Sequence, residues 1–406
     1  MFAGGYPAPR GCVRRGAAIV QEPANLLHML VPAQIVPGPV PDLPIALRER
    51  IARAAGRAHA PGTVRAYDSA WRRFTEWCAR EKYQALPAAP AVVAAYLVDA
   101  ADTLEPDGTR TYATSTLTKW VAAIGDRHRR AGIAEPPTNT EIVKATLGGI
   151  RREYADAGDR PRNARAPLLT DDIVTIISAA REQVEGWAAD VFERRDSAVL
   201  LIGFAGAFRR EELANFTGRD VQLHPLDGLH LYKSRSKTDQ EGLGRRHAVP
   251  RTQDPRNCPP CAYTRWAEIV EAADAGGRTA VIRTASSALP FGELHVCRGA
   301  HPRIGPRRAL FRPIGQNGLV AARGLSEASI HAIVCRRALG AGYSPELVER
   351  LGAHSLRAGF VTQAFRNGAD AHAIMRQTDH RSAAMVERYA REEAPLIGNA
   401  VTSLGL

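Results

Sequence analysis

The sequence predicts a mainly α-helical protein with two domains: an N-terminal helical bundle, then a mixed, mostly helical domain with a small antiparallel β-sheet. Three observations support this prediction. The chain has 406 residues, which suits two domains of roughly 100–200 residues each. Apolar residues recur at helical spacing along most of its length. One stretch alone has the pattern of β-strands joined by a turn.

The first 155 residues divide into a tail and a bundle. Residues 1–42 contain seven prolines and no sustained apolar period, so we expect a flexible tail. From residue 43 to 155, apolar stripes predict four to five helices joined by short loops. One stripe comprises Tyr67, Trp71, Phe74 and Cys78, with Thr63 as the expected N-cap.

The rest of the chain forms the second domain. Residues 156–167 are poor in apolar residues and contain two prolines, which indicates a linker. The domain at 168–406 opens with a helix start at Leu169–Asp172 and continues with an apolar helix near 197–204. Two apolar stretches around a turn-rich segment, 229–232 and 247–249, predict a two- or three-stranded antiparallel sheet. Residues 275–308 are rich in Gly, Pro and Arg, so we expect a long loop or insertion there.

The charge of the chain indicates a polyanionic partner. Lys and Arg total 54 against 42 Asp and Glu, a net charge of +12, and only five of the 54 are lysines. Guanidinium groups pair well with phosphate oxygens, although an arginine-rich genome would produce the same surplus. Basic residues on the polar faces of the predicted bundle are our candidate DNA contacts. They are Arg65, Arg72, Arg73, Lys119, Arg127 and Arg151.

Composition excludes several classes of protein. The longest apolar run, 198–208, is about half of the roughly 20 residues that a membrane-spanning helix needs, so we expect no membrane association. Six cysteines spread over the chain do not form a disulfide framework, which favours a reducing cytoplasm. We find no phosphate-binding glycine loop and no acidic Mg²⁺ cluster, and therefore expect no cofactor.

Four short stretches of the second domain carry chemistry. They are Ala207 to Leu213 (AFRREEL), Ser236 to Asp239 (SKTD), His354 to Arg357 (HSLR), and Asp379-His380 followed by Tyr389. A single His-x-x-Arg means little in so arginine-rich a chain, but the ordered set of six residues is specific. With this set the chain resembles the tyrosine recombinases, the family of the phage integrases, over roughly residues 43–400.

The resemblance implies a role for each residue. It makes 43–155 a core-binding domain and 168–406 a catalytic domain. Tyr389 is the implied nucleophile, His354 the proton acceptor or relay, and Lys237 the general acid. His380 would contact the phosphate or its ligands, and Glu212 would support the site.

These roles agree with the chemistry of the residues themselves. Attack on a phosphodiester adds negative charge to its nonbridging oxygens, which Arg209 and Arg357 can neutralise without a metal. A phenol forms a covalent phosphoenzyme, but its pKa near 10 requires help from a base such as His354. Lys233 competes with Lys237 for the role of acid, although Lys237 is the one on the predicted turn.

Two positions depart from the family pattern. The family commonly has Gly before each of its two histidines, where this chain has Ala353 and Asp379. Asp tolerates a positive φ better than most residues, so we expect slightly weakened rather than lost geometry at 379.

A metal site is a second possibility in the 258–301 region. Cys258, Cys261 and Cys297, with His295 or His301, could bind zinc. The second half of this pattern is irregular, and Cys258-Pro also resembles a loop-to-helix junction of related integrases. We therefore predict no metal.

The sequence thus predicts a site-specific DNA recombinase or integrase that works through a 3′-phosphotyrosyl intermediate, without metal or ATP. Its partner would be double-stranded DNA, gripped by two basic halves, and the family's paired sites imply a homotetramer that is monomeric or weakly associated off DNA. Two alternatives remain. One is strand nicking and relaxation of the topoisomerase IB type, and the other is a catalytically inactive protein that only binds nucleic acid.

Overall fold

The computed structural model describes residues 43–56, 58–159, 165–233, 244–287, 292–299, 301–380 and 382–393. The predicted tail, 1–42, lies outside the described residues, as does Lys237 with its predicted turn. Within the described part, the chain is mostly helical with one small antiparallel sheet, so the predicted fold class is confirmed.

The described residues form two compact units. The first comprises the chain up to Asp102 together with Ser115–Gly149, and the second comprises Thr103–Thr114 and the chain from Ile150 onward. The helices before the predicted linker are α1 Ile45–Gly56, α2 Pro61–Glu81, α3 Pro90–Asp102, α4 Thr114–Arg130 and α5 Glu141–Asp156. The division between the units falls inside α5.

Apolar stripes build the core of the first unit as the spacing predicts. Phe74 and Cys78 of α2 are completely buried, and so are Leu97 of α3 and Ile124 of α4. The predicted N-cap at Thr63 is wrong, because α2 already begins at Pro61, with Ala60 as its N-cap. Proline suits the first helical position, since its fixed φ is helical and no hydrogen bond is required of its nitrogen there.

The second unit combines nine helices of the described chain with the sheet. The helices are α6 Thr170–Glu182, α7 Gly186–Ala205, α8 Arg210–Asn215, α9 Pro259–Ser286, α10 Glu327–Gly340, α11 Pro345–Glu349, α12 Ala353–Arg366, α13 Ala371–Thr378 and α14 Ala383–Glu393. The strands are β1 Val221–His224, β2 Gly228–Lys233 and β3 Arg245–Val249. They pair antiparallel in the order β1-β2-β3, with Leu231 opposite Val221 and Leu229 opposite Val249.

Two long helices centre the core of this unit. The apolar run in α7 is buried, and α7 packs along α9, whose Trp266 and Ile269 are also completely buried. The loop predicted at 275–308 is wrong in its first part, because α9 continues to Ser286 with a kink at Gly276–Gly277. Val281, 1% exposed, returns the chain to the core after the kink, so apolar burial outweighs the two glycines.

Candidate active site

The turn after α7 positions the first arginine. Ala207 has φ +50°, a left-handed conformation that ends the helix and redirects the chain. Arg209 then caps α8: its backbone N–H donates to Glu212 Oε2 at 2.9 Å, and its Nη1 donates to Glu212 Oε1 at 3.0 Å. Glu212 is 5% exposed. The Arg-x-x-Glu spacing therefore lets one buried carboxylate hold both the backbone and the guanidinium of Arg209.

The second arginine lies inside the protein. Arg357, on α12, is 1% exposed. Its Nη1 donates to the carbonyl of Ala207 at 2.7 Å, and its Nη2 donates to the carbonyl of Thr378. Burial and the nearby charge of Arg209 lower the pKa of Arg357 to about 10. The guanidinium thus remains charged at neutral pH, with its orientation fixed by backbone oxygens.

The predicted nucleophile and base are in contact. His354 Nε2 lies 2.9 Å from the Tyr389 hydroxyl. Loss of surrounding water and the charges of Arg357 and Arg209 lower the pKa of His354 below its ordinary value. The imidazole is therefore neutral at pH 7, and its Nε2 can accept the phenolic proton.

His380 contacts the second arginine. It is 8% exposed, and its Nε2 accepts from Arg357 Nη2 at 3.2 Å. Its Nδ1 lies 2.8 Å from Thr378 Oγ1, whose hydroxyl is in turn 2.8 Å from the carbonyl of Ile374. Burial, followed by the charges of Arg357 and Arg209, lowers the pKa of His380 to about 4, so the ring is neutral at pH 7.

A buried network of ion pairs lies next to His380 and Arg209. Lys233, 4% exposed, pairs with Asp379 and lies 3.5 Å from Glu212. Asp379 also lies 3.2 Å from His247 and 3.3 Å from Arg245. Burial opposes ionisation of Asp379, but hydrogen bonds from His247 and Lys233 outweigh it and hold the pKa of this carboxyl below its usual range.

The two departures from the family pattern have simple structural outcomes. Asp379 has φ +53° as the C-cap of α13, so this residue adopts the left-handed conformation that its side chain tolerates. Ala353 begins α12 with no positive φ, and no glycine is required there.

Comparisons with known proteins agree with this constellation. Residues 316–394, which include His354, Arg357, His380 and Tyr389, match the model of the phage integrase family. The chain thus resembles the tyrosine recombinases, as the sequence predicts. It is 28% identical over 348 residues to an integrase/recombinase XerD homolog of Selenomonas ruminantium, covering 84% of each chain. It is 26% identical over 171 residues to the recombinase Cre of Escherichia phage P1, covering 42% of this chain and 46% of Cre.

The fold has a counterpart among solved structures. A Tn1549 transposon integrase variant in complex with transposon right end DNA aligns with a TM-score of 0.50 and 13% identity, covering 88% of this chain and 98% of that one. The match to the phage integrase family and the two similar recombinases confirm the predicted class of enzyme, and the topoisomerase-like alternative is not favoured.

The structure describes five of the six predicted catalytic residues of this recombinase and brings them together. His354 contacts Tyr389, and Arg357 contacts His380. The ring centroids of His380 and Tyr389 are 6.0 Å apart, and the charges of Arg209 and Arg357 act on both histidines. Lys237 lies outside the described residues. Its competitor Lys233 is buried against two carboxylates, an environment of a structural cation.

The candidate DNA contacts all lie on the surface. Arg65, Arg72, Arg73, Lys119, Arg127 and Arg151 are exposed. Two of these guanidiniums lie over indole rings of the first unit, Arg73 over Trp120 at 5.3 Å and Arg127 over Trp71 at 5.6 Å. Such stacking orders the stem of each side chain while the charge remains at the surface. None of the described helices combines the length and apolarity of a membrane span.

Sequence reasoning missed the partners that orient the catalytic groups. Asp379 was noted only as a replacement for glycine, and His247 only as a strand residue. The carbonyls of Ala207 and Thr378 have no side-chain signature at all. One feature of the sequence did point to this network. Lysine is rare in this arginine-rich chain, so Lys233 in a strand indicates a position that needs a compact cation.

Among the described residues, two groups of side chains could hold a metal ion, and neither includes a predicted catalytic residue. One comprises His224, Asp227 and His230 at the surface end of the sheet. The other comprises Cys258, Cys261, His295 and Cys297, and of the two histidines considered from the sequence it selects His295 over His301.

Proposed function

We propose that this chain cleaves and rejoins double-stranded DNA at specific sites through a 3′-phosphotyrosyl intermediate. The contact between Tyr389 and His354 carries the proposal, because it places a phenol beside a neutral base, next to two guanidiniums. A surface tyrosine without a chemical role would not require a neutral base and two guanidiniums beside it. The ordered set of predicted catalytic residues and the match to the phage integrase family support the same reaction.

Each step follows from the groups present. The Tyr389 oxygen attacks the scissile phosphorus while His354 accepts the phenolic proton. Arg209 and Arg357 donate to the nonbridging oxygens and neutralise the charge that develops there. The bond from phosphorus to the 5′-oxygen breaks as Lys237 protonates that oxygen. In the reverse direction a 5′-hydroxyl attacks the phosphotyrosine, and the bond energy is conserved.

His380 acts through Arg357 in this scheme. Its Nε2 already accepts a hydrogen bond from the guanidinium, and its Nδ1 is engaged by Thr378. We therefore assign His380 as a residue that positions Arg357 against the phosphate, while Glu212 does the same for Arg209.

The same proposal covers binding. Exposed basic residues of the bundle would contact phosphates of the duplex, supplying affinity, while base contacts would set the register. A homotetramer on paired sites, monomeric or weakly associated off DNA, is part of the same proposal. A cytoplasmic location, with the gene carried by a bacterium, a phage or a mobile element, stays a prediction. So does the assignment of the two domains at 43–155 and 168–406.

Covalent capture on DNA tests this function. Duplexes selected for binding from a random library would be nicked next to each candidate cleavage position, so that the released fragment diffuses away. Wild-type protein should become trapped as a covalent adduct that survives denaturing electrophoresis. Tyr389→Phe, which keeps the ring and its packing, should bind the same duplexes without forming the adduct. An adduct of equal yield with Tyr389→Phe, or none with the wild type, would refute the assignment.

A further inference from the structure

The four side chains Cys258, Cys261, His295 and Cys297 form a compact cluster away from the catalytic residues. Their three sulfur atoms and one imidazole nitrogen all lie within 4.8 Å of one another. The three cysteines are completely buried and His295 is half-buried. We propose that this cluster is a structural Cys₃His zinc site.

The separations suit a metal rather than a disulfide. Cys261 Sγ lies 3.5 Å from Cys297 Sγ and 3.4 Å from His295 Nδ1. Sulfurs bonded to each other would be about 2.05 Å apart. In a tetrahedron with Zn–S bonds of about 2.3 Å, two sulfurs lie about 3.8 Å apart, and a sulfur and a nitrogen slightly closer. A small inward or outward adjustment of the side chains therefore completes the coordination.

Local backbone structure delivers the ligands. Cys258 is the N-cap of α9, and Pro259-Pro260 begin the helix, so Cys261 lies one turn further on and faces the same side. His295 is the N-cap of a short 3₁₀ turn, Val296–Arg298, that contains Cys297. The two pairs come from segments that a long helix separates in the sequence, and α9 packs against this turn.

The surroundings match a closed site with compensated charge. Leu223 and Val296 pack against the three cysteines and shield them from water. Zinc with three thiolates and a neutral imidazole carries one net negative charge. The guanidinium of Arg251 donates through Nη1 and Nη2 to the carbonyls of residues 224–226, directly after Leu223, which packs on the cysteines. This arginine would offset the charge.

Four protein ligands leave no open position, which is typical of structural rather than catalytic zinc. The ion would tie the start of α9 to the 292–299 segment beside β1, where the buried apolar contacts are few. The other group of potential ligands, His224, Asp227 and His230, offers three ligands and no thiolate, so a metal bound there would show no sulfur-to-metal charge transfer.

Metal analysis of the purified full-length chain tests the proposal. Protein prepared under reducing conditions, incubated with zinc and dialysed, should contain about one zinc per chain. Cobalt in place of zinc should give the visible absorption of a tetrahedral thiolate site, with sulfur-to-cobalt charge transfer. Cys261→Ser and Cys297→Ser should lose most of the bound metal. Cys335→Ser, a half-buried free cysteine outside the cluster, is the matched control and should retain it.

Three outcomes would overturn the site. The wild type could bind no zinc, both serine variants could bind as much as the wild type, or thiol titration and mass spectrometry could show a Cys261–Cys297 disulfide in place of the metal. The cobalt spectrum of the wild type decides the question even if a serine variant fails to fold, since a spectrum without thiolate ligands contradicts the assignment. The covalent adduct assay is run separately on the metal-free wild type. Its outcome tests the proposed catalytic function, whereas the zinc and cobalt measurements test only the metal site.

Discussion

Replacing Lys233 with methionine is expected to destabilise the second unit. Methionine preserves the approximate length of the side chain but removes its charge. Lys233 is 4% exposed and pairs with Asp379 and Glu212, which are themselves buried. The substitution therefore leaves two carboxylates in the interior without their shared cation, and burial of an uncompensated charge is costly.

The size of the effect follows from the contacts. Two unit charges 4 Å apart interact by about 4 kcal/mol at an effective dielectric of about 20. Removing one partner of a buried pair typically costs about 3–5 kcal/mol. Asp379 keeps His247 at 3.2 Å and Arg245 at 3.3 Å, which places the expected loss in the lower part of that range, about 3 kcal/mol. In the double variant Lys233→Met/Asp379→Asn, the loss of unfolding free energy should be about 2 kcal/mol smaller than the sum of the losses in the two single variants.

Urea unfolding, followed by tryptophan fluorescence and circular dichroism, measures the free energy of unfolding of each variant. Lys237→Met is the matched control, because it makes the same replacement four residues further along the chain. It should leave the free energy of unfolding within about 0.5 kcal/mol of wild type and lower the rate of adduct formation by about 10²-fold or more. If Lys233→Met instead unfolds like wild type and abolishes adduct formation, Lys233 is the proton donor and the structural assignment is wrong.

Three further predictions concern pH, the buried arginine and DNA. The pKa of His380 is lowered to about 4 from 6.5, so between these pH values only the unfolded chain binds the proton. The stabilising contribution of the neutral ring is therefore complete above pH 6.5 and is lost as the pH falls toward 4, on the order of 3 kcal/mol. The melting temperature of His380→Gln should accordingly depend less on pH over this range than that of the wild type. Arg357→Lys cannot donate to two carbonyls in one plane, and single-turnover cleavage should fall by about 10²–10³-fold while fluorescence anisotropy shows DNA binding retained; unchanged cleavage would contradict the role of the guanidinium. Arg72→Ala and Lys119→Ala should each reduce the salt dependence of DNA affinity by about one unit of slope, whereas an unaltered slope would remove that residue from the interface.

The most accurate predictions from the sequence concern features that depend on neighbouring residues, such as helices, turns and short motifs. Helical spacing located Phe74, Cys78 and Leu97 in a core, and the turn between two apolar stretches identified the sheet. The catalytic set was found because its members occur in a fixed order with fixed spacing, which a single sequence displays. Thr63 failed as an N-cap since a proline two residues earlier begins the helix better.

Contacts between distant segments could not be predicted in this way. Lys233 and Asp379 meet across almost 150 residues, and neither period nor spacing relates them. The residues around Cys258 and Cys297 were grouped as possible zinc ligands, but the second half of the pattern is irregular, and part of the segment between them was expected to be a loop. A helix kinked at Gly276–Gly277 joins them instead, and its burial depends on packing that the local sequence does not display.

The helix that carries Tyr389 is less firmly packed than the helix that carries His354 and Arg357. α14 packs on α12 and α13 through a small cluster that is distinct from the main core. Its buried members are Val361, Phe365, Ile374 and Val386. Because little apolar surface holds it, α14 opens at lower free energy than the central helix α7, and its amide hydrogens should exchange with solvent earlier. In the proposed reaction, Arg209, Arg357 and His354 would then remain assembled around the phosphate while Tyr389 alone moves in and out of place.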